Sequence, residues 1–166
     1  MELIQQIKLD GARNGMCRLF QTRLKPGLDT KDLADMYFKG MDFCIGRDFP
    51  TLEFMRENFK GTGEMYGVYI DSDNVSTRNP KRAVLIGDSN VKMTFDGFSV
   101  SRVFVRHGSM ATIRVSGYAN LSVDAFDNAR IYVDVIGSKA KVIVDTYGDA
   151  RAVCAGMAKI SHKQKY

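Results

Sequence analysis

Two hydrophobic periods divide the chain. Over residues 1–65 the apolar side chains recur at spacings of roughly three and four. Leu33, Met36, Tyr37, Met41, Phe43 and Cys44 fall on one face of a single helix. Asp29 or Thr30 suits its start, Asp32 and Asp35 favour its positive end, and Gly46 suits its stop. A second helix is expected from Pro50 to Phe59, capped by Asp48 and apolar along Leu52, Phe54, Met55 and Phe59. Upstream, the stretch from Gly15 to Phe20 leads into a helix that ends near Pro26 and Gly27. After Gly67 the period shortens to two. Val68–Ile70 and Ala83–Ile86 read as strands, with a turn at Asn79 and Pro80.

Beyond Gly87 the alternation repeats. Units open on a turn residue at Gly108, Gly117, Asp127, Gly137 and Gly148, then continue small, polar, apolar, polar, apolar. Aligned on Ala111, Ala119, Ala129, Ala140 and Ala150, they are 8, 10, 11 and 10 residues apart, and two degenerate copies begin at Gly87 and Gly97. Alternation puts Ala129, Ile131, Val133 and Val135 on one face, and Arg130, Tyr132 and Asp134 on the other. One such unit cannot bury its apolar face, whereas stacked copies can.

Two units of about ten residues would make one coil of a parallel β-solenoid or flattened β-roll. Alanine fits a narrowing corner, and the glycines with Asn128 tolerate positive φ there. An antiparallel meander also gives short strands at this spacing, but it does not require every turn to use the same chemistry. The expected class is therefore α+β: a helical N-terminal cap over residues 1–66, a β-solenoid over 67–156 and a basic C-terminal tail over 157–166. The expected core includes Ala119, Leu121, Val123, Ala129, Ile131, Val133, Ala140, Val142 and Val144.

These units resemble the short alanine–valine β-repeat proteins of bacteriophages, prophages and mobile elements. The segments Asn14–Cys17, Lys31–Tyr37, and Asp42–Cys44 through Phe49–Phe54 are similar to a helical leader in small uncharacterised proteins of gut Bacteroidetes and their phages. Together the likeness covers most of the chain. It implies a repeat architecture in a phage or mobile-element setting, and no activity. A more distant likeness to the polymer-forming bactofilins is one of architecture only.

Composition narrows the classes without naming an activity. The chain has 166 residues, 45% hydrophobic and 26% charged, which fits a folded chain rather than a disordered one. No apolar run is longer than the four residues of Ala83–Ile86, far below a membrane span, and Met1–Gln6 lacks the features of a signal peptide. Cys17, Cys44 and Cys154 form no CxxC pair and are expected as reduced thiols in a cytoplasmic or virion-associated protein. Net charge is +5, with 11 basic and 12 acidic residues up to position 79, and 13 and 7 after it. That bias permits an acidic partner or nucleic acid, though it reads first as solubility.

No phosphate-binding loop, dinucleotide fingerprint, zinc-helix or nucleophile-elbow motif is present. His107, at an expected corner, is read as a solvated corner residue rather than a catalytic base, and His162 as part of a mobile tail. The cysteines are read as small core hydrophobes. Asp124, Asp134 and Asp145 each follow an anchoring alanine by five residues, so Asp124 and Asp145 should stack. Arg130, Lys141 and Arg151 are the expected countercharges, and no metal is expected. Phe126, Ile136 and Tyr147 precede turns and are expected to form one apolar corner column. The aspartates bordering them disfavour a nucleic-acid platform.

No catalytic, cofactor or metal residue is assigned and no membrane contact is expected. The sequence reading is a non-enzymatic structural or protein-interaction protein. It would self-associate through the open C-terminal coil or an outward row containing Ile143 and Val153, with a host or phage protein as a further partner. The rival reading is an intracellular anti-defence or regulatory factor that binds a host protein or nucleic acid through the helical part.

Overall fold

The computed structural model describes residues 2–164 and Tyr166; Met1, and Lys165 of the expected tail, lie outside the described residues. The chain forms two compact units, residues 1–66 and 67–166. The first contains α1 (Leu3–Arg13), α2 (Arg18–Arg23), α3 (Thr30–Lys39), α4 (Met41–Arg47) and α5 (Leu52–Phe59), followed by a 3-10 turn at Glu64–Tyr66.

Asp29 caps α3 in a reciprocal box: the Asp32 amide donates to Asp29 Oδ1 at 2.8 Å, and the Asp29 amide donates to Asp32 Oδ2 at 3.3 Å. The single helix expected through Cys44 is two. Gly40 ends α3 and also begins α4, because its backbone leaves the helical region there (φ −101°, ψ 20°). Gly46 lies inside α4, and Asp48 ends that helix in the left-handed region instead of starting the next. Thr51 caps α5, its hydroxyl accepting from the Phe54 amide, so Pro50 precedes the helix. The sequence reading, helical over residues 1–65, assigned no separate helix before Gly15; α1 is one, closed by Asn14 as its C-cap and by Gly15 in the left-handed region (φ +89°).

The second unit is a parallel β-solenoid of about five coils. Its strands are β1 (Val68–Ile70), β2 (Val75–Arg78), β3 (Arg82–Ile86), β4 (Asn90–Phe95), β5 (Val100–Val105), β6 (Met110–Val115), β7 (Asn120–Ala125), β8 (Arg130–Val135), β9 (Lys141–Tyr147), β10 (Arg151–Ala155) and β11 (Lys159–Lys163). Odd strands pair in chain order as a six-stranded sheet A, and even strands as a five-stranded sheet B. Every pairing is parallel. The registers Arg82↔Arg102, Asn90↔Met110, Val100↔Asn120 and Met110↔Arg130 advance one coil at 20 residues. Asn120↔Lys141 and Arg130↔Arg151 advance it at 21, one extra residue entering the turn after β8.

The alternation builds the core. Leu121, Val123, Ile131, Val133, Val142 and Val144 all face inward and are buried, as are Ala119 and Ala129, whereas Ala140 is only partly buried. Fully burying one valine or leucine side chain is worth roughly 1.5–3 kcal/mol, so the stacked ladders dominate stability. The anchoring position needs one correction. Ala111 lies within β6 opposite Ile131, and the residue equivalent to Ala129 is Ser109. The true column is Ser72, Ser89, Ser109, Ala129 and Ala150, all buried. Serine fits where alanine fits because its hydroxyl stays on the corner backbone: Ser109 Oγ donates to the Gly87 carbonyl at 2.9 Å and Ser89 Oγ to the Ile86 carbonyl at 2.9 Å.

Each corner carries a column of left-handed residues: Asp71, Gly87, His107, Asp127 and Gly148 on one side, and Asn79, Gly97, Gly117, Gly137 and Gly156 on the other. Asp127, not Asn128, takes the positive φ. The expected tail is also corrected, since residues 159–163 form β11 on β9. Ile160 pairs with Val144 there and continues the inward alternation. His162 is held in that strand, its Nδ1 within 3.0 Å of Thr146 Oγ1.

Candidate functional site

The residues with reactive chemistry serve the solenoid's own corners and ladders. His107 sits half-buried at a left-handed corner. Its Nδ1 accepts from the Gly87 amide at 3.1 Å, and its own amide donates to Asp127 Oδ2 at 2.9 Å. The same device recurs where the Asp88 amide donates to Asp71 Oδ1 at 3.0 Å. Side chains at this edge thus satisfy the turn amides of adjacent coils. The three cysteines are free thiols: Cys17 precedes α2 and is exposed, Cys44 is buried in α4, and Cys154 lies in β10, where burial pushes its thiol pKa up.

Asp124 and Asp145 stand directly opposite each other on β7 and β9, as their spacing implied. Their countercharges differ from those expected. Arg102 reaches Asp124 Oδ2 at 3.1 Å, Lys163 reaches Asp145 at 2.8 Å, and Arg114, opposite Asp134 in register, approaches it at 3.8 Å. Arg130 lies four residues before Asp134 on one strand, too far along an extended backbone, and it stacks in a column with Arg151 instead. Lys141 likewise stands opposite Asn120. Asp124 is 4% exposed, and burial raises its pKa against the opposing pull of Arg102. Lys163 is held charged by its hydrogen bond to Asp145.

The expected corner column divides in two. Phe126 and Tyr147, one coil apart, stack at 4.9 Å and 9°, and both are buried. The Tyr166 ring lies edge-on to both, at 4.9 and 5.4 Å. Ile136 falls half a coil away, on the opposite edge and exposed, because successive units alternate between sheets. That opposite edge carries a second stack which the sequence reading missed: Phe98 over Tyr118, 5.0 Å apart and 10° from parallel. Phe98 is 82% exposed and Tyr118 56%. The signal was available, since each follows a corner glycine and the two lie one coil of 20 residues apart.

Between the two edges runs the outer face of sheet B. Its outward positions include Arg78, Lys92, Arg114, Arg130 and Arg151, with Asp134 as the one carboxylate among the outward residues of the five strands. Arg78 is engaged by Asp96 at 2.6 Å, whose pKa is lowered by the Asn79 hydrogen bond and then by Arg78. Lys92, Arg130 and Arg151 are exposed.

At the C-terminal end, β10 and β11 are the last strands of their sheets. Ile160, on the inward side, is 44% exposed there, with Ala152 and Cys154 partly buried beside it. Ile143 and Val153 do not share a row: one faces out from sheet A and the other from sheet B.

Among the described residues no three His, Cys, Asp or Glu side chains come together as a metal-ligand group, and no helix is long and apolar enough to cross a membrane. Compared with family models, with curated proteins and with solved structures, the chain matches none. Its class is therefore defined by the fold itself, an α+β chain whose larger unit is a parallel β-solenoid.

Proposed function

We propose that the protein is a non-catalytic assembly module that joins two copies of itself through the C-terminal coil. The observation that carries this reading is the end of the solenoid, where two adjacent edge strands border a partly open interior at Ile160, Ala152 and Cys154. A second copy offers the matching surface, an identical pair of edges and an identical apolar lining. Around a two-fold axis the edges would meet antiparallel. The coils are already rigid, so pairing costs little ordering. Val153 and Met157, both exposed, extend the apolar rim. The engagement of His107, Asp124 and Cys154 in corners and ladders supports a structural use of those groups. In the phage or mobile-element setting that the repeat resemblance implies, such a module would link copies in the host cell or in a virion.

The same end carries Arg151, Lys159 and Lys163, so two copies meeting there bring like-charged faces together. Association should therefore tighten as salt rises from about 50 mM to about 0.5 M, since screening relieves that repulsion. Light scattering at micromolar concentration tests the reading. The expected mass is at least twice 18.6 kDa, reduced to one chain by Ile160→Lys. A mass of 18.6 kDa that persists at high salt and on concentration overturns it.

A further inference from the structure

The two aromatic stacks of the solenoid have almost the same geometry and opposite surroundings. Phe126 and Tyr147 are buried, with a third ring, Tyr166, edge-on to both. Phe98 and Tyr118 project from the other edge, and among the described residues no third ring lies against them. Stacked, exposed rings on a rigid turn are an apolar surface without an intramolecular use.

Their neighbours are cations. Lys81 and Lys139 occupy the turns before and after the stack, and the outer face of sheet B adds Lys92 along β4 and, at the far end of the strands, Arg130 and Arg151. Among the described residues none of these five pairs with a carboxylate. The nearby acids are already used, Asp96 by Arg78 and Asn79, and Asp134 by Arg114. Arg130 and Arg151 stand in register on neighbouring strands, roughly 4.8 Å apart along the backbone. Like charges at that separation repel, and a polyanion laid across them removes the repulsion. Of the aspartates that disfavoured nucleic acid in the sequence reading, Asp145 lies on sheet A, paired with Lys163, and Asp127 and Asp149 sit at the edge opposite the rings, next to Arg130 and Arg151.

We propose that the Phe98–Tyr118 edge and the outer face of sheet B form a binding surface for single-stranded nucleic acid. Bases stack on the two rings, and the phosphates follow Lys92, Arg130 and Arg151 across the sheet. Along a strand at about 3.3 Å per residue, the arginine column lies some 20 Å from the ring edge, a span for several nucleotides. A duplex keeps its bases inside the helix, so it can use the cations but not the rings. An acidic polypeptide satisfies the charges and leaves the rings unexplained.

Fluorescence anisotropy with a labelled oligothymidylate of about twenty nucleotides, titrated with the full chain at about 50 mM salt, tests this. Binding is expected to weaken at least tenfold in the double variant Phe98→Ala, Tyr118→Ala, and to be retained in Phe98→Tyr, which keeps the ring. Circular dichroism melting confirms that these exposed substitutions leave the fold intact. The double variant Arg130→Gln, Arg151→Gln should lower the slope of log affinity against log salt by about 1.4, or about 0.7 for each phosphate no longer neutralised. No binding at low salt overturns the proposal. So does equal affinity for a duplex of the same length, equal competition by polyglutamate, or indifference to removal of both rings.

Discussion

Single side chains carry strains that the repeat as a whole tolerates. Ser101 occupies an inward position opposite Leu121, where its hydroxyl is buried without a hydrogen-bond partner. Such a group retains its desolvation cost and returns nothing for it. Ser101→Ala should therefore stabilise the solenoid by about 1 kcal/mol, seen as a higher midpoint in denaturant melts with unchanged slope. Asp124 is a second case, with its own sign. Burial raises its folded-state pKa, so the folded state binds the proton more tightly than the unfolded chain does. Its penalty is present above the raised pKa and is relieved as pH falls toward the ordinary aspartate value of about 3.9. Asn at this position still accepts from Arg102 and has no charge to bury. The stability of Asp124→Asn relative to the parent should be greatest near pH 7 and decline steadily toward pH 4. A difference that grows on acidification would show that the ion pair with Arg102, rather than burial, governs this group.

At the scale of elements, turns and strands differ in how openly they are written. The strands were legible because the side-chain period of two is fixed by the backbone, and every coil repeats it from Val91 to Val144. The corners were only half legible. Glycine marks the left-handed position at Gly97 and Gly117, but His107 and Asp127 fill it elsewhere, their side chains accepting from the preceding coil's amides. Alanine spacing alone therefore points to Ala111, whereas Ser109 fills the corner position and does the same work with a hydroxyl. Ion pairs were the least legible, because partner choice follows the pairing register rather than distance along the chain. Gly117 is the corner where the glycine is required twice. Its φ is +64°, and a Cβ there would lie 3.1 Å from the Gly97 nitrogen in the turn beneath. Gly117→Ala should cost at least about 1–2 kcal/mol, read as a lower thermal midpoint. Gly137 has open space around the same kind of φ, so Gly137→Ala should cost less.

For the molecule as a whole, the solenoid separates functions by side. The interior supplies stability, one edge carries hydrogen-bonding acids and a histidine, and the other edge with sheet B carries exposed rings and cations. This sidedness could not be read from the repeat alone, because neighbouring units look alike yet belong to opposite sheets; the separation of Ile136 from Phe126 and Tyr147 is the plainest instance. The constant register has one more consequence. Coils from β3 to β8 advance by the same 20 residues, and each touches only its neighbours. A tandem duplication of one coil's stretch of the gene would insert a ready-fitting layer, with inward residues still inward and the ends unchanged. Slippage during replication, ruinous in most folds, would here alter only the length of the ladder, and lineages of such proteins should differ by whole coils.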